Sequence, residues 1–134
     1  MDTDRTHAVA ARFVRYLETG IADDGLFTPD VFCDFTLPRW RLQAEGREAA
    51  LALRHRGHPG PGTVPRCRVD ATARGFVIEL EERWHDAQGA WYAREMMRAD
   101  LRGDAICELS VYCTGDWDAP RIAEHRAAVT LARP

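Results

Sequence analysis

The sequence contains no lysine and no asparagine, and only one serine, Ser110. Without lysine there is no Schiff-base chemistry on a lysine amine, and all side-chain positive charge that is fixed at neutral pH is arginine. Without asparagine there is no N-glycosylation acceptor. Ser110 sits in ELSVYC, outside any GxSxG elbow, which argues against a serine hydrolase. The four cysteines, Cys33, Cys67, Cys107 and Cys113, form no CxxC pair. Cys107 and Cys113 lie on one expected strand, roughly 20 Å apart at ~3.3 Å per residue, too far to bridge, so free, mostly buried thiols are expected. No apolar run approaches the ~20 residues that span a bilayer. The opening MDTDRTHAVAARF is polar and partly acidic, unlike a secretory signal, and the expectation is a cytoplasmic protein. Net charge is -3 with both signs interspersed and no basic stripe, which argues against nucleic acid as a partner. HPGPG (58–62) lacks the lysine and the following helix of a phosphate loop, and no cofactor is implied.

What is present is the patterning of one α+β domain over residues 1–134, with 46% hydrophobic and 29% charged residues. The stretch from Gly75 to Cys113 reads as three long strands, GFVIELEERWHD, AWYAREMMRADLRG and DAICELSVYC. They are broken at Asp86-Ala87-Gln88-Gly89 and Arg102-Gly103-Asp104, so antiparallel hairpins are expected. VPRCRVDATAR is a fourth strand. N-terminal to these, Val9, Phe13, Tyr16, Leu17 and Ile21 recur at helical spacing over about Thr3–Thr19, with Gly20 as the residue that ends the helix. A short turn or helix is expected around Leu26-Phe27, ended by Pro29. Two short strands flank Pro38, REAALALRHR forms a helix between Gly46 and Gly57, and Asp118 caps a short C-terminal helix. A sheet of this length curls, and the N-terminal helices would fill its hollow.

The order of these elements resembles the nuclear transport factor 2-like superfamily and, within it, the SnoaL-like proteins. The resemblance rests on PDVFCDFTLP, EGREAALAL, ELEERWHDAQGAWYAR and DAICELSVYCTGDWD. It implies a cone, a curved antiparallel sheet wrapped around the N-terminal helices, with a ligand pocket at its open end and a homodimer formed through the sheet's outer face. It also implies an apolar small-molecule ligand and cofactor-independent cyclisation, dehydration, isomerisation or epoxide opening. Other members only bind ligands or partners, so a non-catalytic binding module stands beside the enzyme reading.

Candidate site residues follow from the strands. Arg83 and His85 share a face with Glu79 and Glu81. The resemblance would make Arg83 the anchor of a substrate oxygen and His85 a general base, whose unperturbed pKa near ~6.5 suits that role. The same four residues read equally as a solvated or dimer-facing stripe, with Phe76, Ile78, Leu80 and Trp84 lining the cone instead. Asp34, between Phe32 and Phe35, is the second catalytic candidate, on the segment from which isomerase and dehydratase relatives project a carboxylate. Phe35, Trp40, Trp91 and Glu95 are the expected substrate-binding residues. Glu95 stands among Trp91, Ala93, Met97 and Ala99, where a carboxylate must be functional, protonated or paired, for instance with Arg68 or Arg83. On the last strand Leu109 or Val111 falls where SnoaL-like cyclases keep an acid, and only a bulge would turn Glu108 inward. His55 and His58 have no third ligand nearby and their spacing is broken by Gly57, so no metal site is expected.

Overall fold

The computed structural model describes residues 2–134. Helix α1 (Thr3–Thr19) is followed by β1 (Phe27–Thr36), β2 (Arg41–Glu45), α2 (Arg47–Gly57), β3 (Gly62–Ala71), β4 (Gly75–Asp86), β5 (Gly89–Arg102), β6 (Ala105–Cys113) and α3 (Ala119–Ala128). Asp2 caps α1 by accepting the backbone N–H of Asp4 at 2.9 Å, and Gly20 ends it at φ 75°. The six strands form one open sheet in the order β2-β1-β6-β5-β4-β3. Pairing is antiparallel except between β1 and β6, which run parallel, so the sheet is mixed rather than wholly antiparallel.

Three register shifts bend the sheet into a cone, between Phe27 and Phe32 in β1, Thr63 and Arg66 in β3, and Asp100 and Leu101 in β5. The shifts in β3 and at Asp100/Leu101 each leave one extra residue, a bulge that adds local twist and curvature, while that in β1 is a longer lapse in pairing. The expected turn or helix at Leu26-Phe27 is absent. Its apolar residues are buried at the start of β1 instead, and Pro29 lies inside that strand, within the stretch where regular pairing lapses and a missing N–H is tolerated. Gly75, at the start of β4, lets two strands approach closely, since a Cβ there would lie 2.1 Å from the carbonyl oxygen of Ala99.

The concave face holds the core. Val9, Phe13, Tyr16 and Leu17 of α1 are buried against it, with Phe13 packed on Phe27 and Phe76 at ring separations of 6.4 and 6.2 Å. In β4 the inward residues are Phe76, Ile78, Leu80 and Glu82, while Glu79, Arg83 and His85 are exposed. In β5 they are Ala93, Glu95, Met97 and Ala99. In β6 the inward set changes parity, from Ile106 to Leu109 and Val111, because Leu101 pairs with Ile106 but Asp100 pairs with Glu108, leaving Cys107 as the extra residue. That bulge turns Glu108 outward, the reverse of the effect a bulge was expected to have. α3 buries no residue fully and is tethered through Trp117, which pairs backbone to backbone with Tyr92 of β5.

Candidate functional site

Between α1, α2 and the concave face lies a cavity of about 790 Å³, within the range of small-molecule sites. Most of its wall is apolar, including Phe13, Phe35, Leu53, Met97, Leu109 and Val111. Against this greasy surface stands one polar cluster, composed of Arg54, Glu82, Glu95, His58 and Asp116.

Helix α2 supplies the cation. Ala50 is buried, and Arg54, four residues on, projects from the same helical face into the cone. Its guanidinium donates to both carboxylate oxygens of Glu82, at 3.0 and 2.5 Å, and to the backbone oxygen of Leu17 at 3.1 Å. Glu82 is 4% exposed and Glu95 is 5% exposed. In the β4–β5 register Glu82 lies opposite Ala93, and Glu95 opposite Leu80. The two carboxyl groups are thus diagonal neighbours on one face. Two buried carboxylates beside a single arginine cannot both ionise without large cost. Burial pushes Glu82 up, but the two hydrogen bonds from Arg54, its charge and a hydrogen bond with Glu95 outweigh it, and Glu82 lies below its ordinary range. Burial, the Glu82 charge and the hydrogen bond with Glu82 all push Glu95 well above the usual carboxylate range, against the pull of Arg54. Of the two, Glu95 is therefore the carboxyl that holds a proton more readily and Glu82 the one that gives it up. As a pair of carboxylates they offer no donor, and Glu95 Oε2 is buried without a partner. A proton on Glu95 supplies the donor that is missing.

His58 follows α2, its backbone N–H donating to the Arg54 carbonyl at 2.9 Å. Its ring packs edge-on against Trp84 with centroids 4.5 Å apart, and Nε2 is 3.9 Å from Asp116 Oδ1. Burial and the nearby Arg54 charge lower its pKa from 6.5 to about 4, so the imidazole is uncharged at pH 7. Burial and the Glu82 charge raise Asp116. The thiols of Cys33 and Cys113 are both pushed up to about 12 by burial, so neither is a thiolate nucleophile at neutral pH.

The candidates read from the sequence divide by strand parity. Phe35, Trp40 and Glu95 line the cavity. Trp91 shares the inner face with Glu95 and stacks on Trp84 at 6.2 Å, but it is not part of the cavity wall. Asp34 faces away from the cavity, where Arg41 donates to it at 3.1 and 2.7 Å and Gln43 at 3.3 Å. The bonds from Arg41 hold its carboxyl below the usual range, opposite to the tuning a base would need. Arg83 lies on the outer face with its guanidinium 5.0 Å from the Tyr92 ring centroid, and His85 is exposed on that same face. Both leave the cavity because Phe76, Ile78 and Leu80 claim the inner parity of β4. The arginine beside the buried carboxylates is Arg54 from a helix, not Arg68 or Arg83 from a strand. Glu82 was missed although its signal was present, since it interrupts the apolar series Phe76, Ile78, Leu80, Trp84 as Glu95 interrupts its own. Nothing in the sequence marks His58, which reaches the cavity only because α2 ends there.

Two stability predictions follow from the cluster. Arg54→Met leaves Glu82 charged and unpaired, and should cost about 3–5 kcal/mol at pH 7. Glu82 has a depressed folded pKa, so this loss should shrink once the pH falls below the ordinary carboxylate range. Arg54→Met/Glu82→Met should recover most of it. Urea denaturation of the three proteins measures this, and a loss under ~1 kcal/mol in the single variant would show that the pair is not the core's anchor. For His58 the folded value of about 4 lies below the unfolded 6.5. Its stabilisation is complete above 6.5 and is lost as pH falls towards 4, about 3 kcal/mol in total. His58→Gln should therefore have a flatter stability profile than the wild type between pH 6.5 and 4, while the opposing contribution of Glu95 is common to both proteins. Parallel profiles would remove His58 from this account.

No protein-family model matches the chain, and no curated protein matches it in sequence. Its structure is similar to that of solved proteins. An NTF2-like protein from Anabaena variabilis superposes with a TM-score of 0.70 at 21% identity, over 87% of this chain and 94% of that one. An isomerase candidate from Bacillus subtilis gives 0.67 at 13% identity, covering 98% and 99% of the two chains. A polyketide cyclase candidate from Xanthomonas campestris gives 0.63 at 16% identity, covering 81% and 90%. With the open cone of six strands, its helices on the concave side and the cavity between them, the chain has the nuclear transport factor 2-like fold.

Proposed function

We propose that the chain is a small-molecule enzyme of specialised metabolism that performs cofactor-independent acid/base chemistry on an apolar, oxygenated substrate. The observation that carries this reading is that a buried carboxyl pushed well above its usual range, Glu95, and a neutral imidazole, His58, line the same otherwise apolar cavity. A neutral carboxylic acid in a dry site is a strong donor to a carbonyl or hydroxyl oxygen, and groups whose pKa values are driven apart mark an acid and a base. In this mechanism Glu95 donates to the substrate oxygen, its proton favoured by burial and by the charge of Glu82 against the pull of Arg54. His58, which burial weakens as a base but keeps uncharged, accepts a proton from the neighbouring carbon or hydroxyl, and Asp116, 3.9 Å away, stabilises the imidazolium that forms. The apolar wall excludes water from reactive intermediates. Enolisation, cyclisation, dehydration and isomerisation all use such a pair, and the similarity to cyclase and isomerase candidates agrees with this class.

Glu95→Gln keeps the size and removes the exchangeable proton. It should lower turnover by ~10²-fold or more, on whichever ketone or β-hydroxyketone of a chromatographic screen the wild type converts. The ¹³C resonance of the Glu95 carboxyl should show no ionisation near pH ~4.3. Full turnover in the variant, or ordinary titration of the carboxyl, would sink the assignment. Leu109 and Val111 in the cavity wall favour a second reading, a binding module without catalysis. Under it the wild type retains ligands in native mass spectrometry and converts none of them.

The reading extends to one domain, 1–134, working in the cytoplasm, where the four free cysteines (Cys67 exposed) would stay reduced. It also extends to a homodimer. The outer face of the sheet presents Met96 and Tyr112, both exposed, beside Arg94 and an Arg98–Glu108 pair at 3.9 Å, a mixture suited to a polar isologous interface. Light scattering at micromolar concentration should give twice the 15.1 kDa chain mass, and a monomer mass would reject the dimer.

A further inference from the structure

The cavity's charges are not distributed evenly. Deep inside, Arg54 is paired with Glu82, His58 is uncharged at pH 7, and burial disfavours the charged form of Glu95. At the mouth positive charge predominates. Arg39 from the β1–β2 connection, Arg56 from the last turn of α2 and Arg121 from the first turn of α3 all line the cavity and are all solvent-exposed. Among the described residues none of the three has a carboxylate partner within 4.0 Å. Most of the chain's short ion pairs sit elsewhere on the surface. Asp116 is the one acid of the wall that opposes the three arginines, and it faces His58. Asp118 uses its carboxylate to accept the Arg121 backbone N–H at 2.9 Å. The Arg121 guanidinium is held 4.7 Å from the centroid of the Trp117 ring, with its donor edge free. Trp40, 67% exposed, and Leu42 continue the apolar wall outward beside Arg39.

A protein of net charge -3 thus carries an arginine-rich rim around an apolar hollow. Arginine pairs bidentately with carboxylate and phosphate, and a cleft lined by one sign of charge concentrates ligands of the other. We propose that the ligand is an amphiphile whose apolar, oxygenated body fills the cavity and whose oxyanion, a carboxylate or a phosphate ester, is held at the mouth by Arg39, Arg56 and Arg121. This rests on the small-molecule reading above and specifies its substrate class. The anion stays outside because Arg54 already binds Glu82 and Leu17, and because a second negative charge beside Glu82 would be unscreened.

The test is calorimetric binding of octanoate, octyl phosphate and octan-1-ol to the full chain at low salt. One or both anions should bind at least ~10-fold more tightly than the alcohol, and the comparison between them identifies the oxyanion. The preference should collapse in 0.5 M salt, as exposed charge pairs do. It should also collapse in Arg39→Gln/Arg56→Gln/Arg121→Gln, whose fold is checked by circular dichroism, while octan-1-ol binding is unchanged. Each single replacement should weaken anion binding by a few fold, which serves if the triple variant misfolds. Equal affinity of all three probes for the wild type, or an anion preference that survives the replacements, overturns the rim assignment and leaves the acid/base reading standing. If no probe binds, the cavity is not a small-molecule site and both fall together.

Discussion

Arg54 reaches from α2 to Glu82 on the buried face of β4, and their double hydrogen bond orders the charge of the groups around it. A buried ion pair of this kind contributes little net stability, because desolvation of both partners offsets their attraction. Its consequence is electrostatic order. With Glu82 paired, a second buried carboxyl next to it has no cation left, and Glu95 is pushed well above the usual carboxylate range. Burial, helped by the same guanidinium, lowers His58 to about 4. Burial and one ion pair together thus drive apart three groups that in water would be charged or half-charged at pH 7.

The cavity exists because the sheet bends away from the helices, and the bends are local. A lapse in pairing in β1 and bulges in β3 and at the β5–β6 junction supply the curvature. The last of these also fixes chemistry. Without the extra residue at Cys107, the parity of Ile106 would carry Glu108, Ser110 and Tyr112 inward. With it, Leu109 and Val111 face the ligand space and Glu108 pairs with Arg98 outside at 3.9 Å. An acid on the final strand is thereby excluded from the cavity wall, and the carboxyl that the sheet does present there is Glu95 on the adjacent strand.

Long elements with strong periodicity were legible from the residues alone. α1, β4, β5 and β6 lie where the apolar spacing and the turn residues set them, and the cone follows from their order. Legibility failed where a fact depends on two elements meeting. Asp34 between phenylalanines looks buried, but strand alternation turns Phe35 inward and leaves Asp34 to Arg41 and Gln43 on β2. Arg83 and His85 form a chemically attractive pair on a strand whose other face is more apolar, and burial of apolar area outweighs chemical appeal. Glu95 was visible as an acid in an apolar series. Its partner Glu82 carried the same mark in β4, but Glu81 and Arg83 on either side disguised it as part of a charged run. Arg54 and His58 acquire meaning only once α2 is docked, since helical sequence shows which face is inward but not which strand it will touch.

The protonation pattern of the empty cavity also bears on what happens when it fills. A ligand that displaces solvent lowers the effective dielectric, which strengthens every interaction within the cluster. Desolvation is already the largest influence on both Glu95 and His58, and it acts on them in opposite directions, raising one and lowering the other. A purely apolar occupant drives the two further into their neutral forms and gains nothing from either. An occupant with an oxygen beside Glu95 gives the buried proton an acceptor better than the already engaged Glu82, and relieves the unpartnered Oε2. Negative charge developing on that oxygen is stabilised by the donor that was waiting for it, and positive charge developing on His58 lies next to Asp116. Under the proposed function the cluster would favour an occupant on which charge is separating over one on which it is not, the differential stabilisation that lowers a barrier.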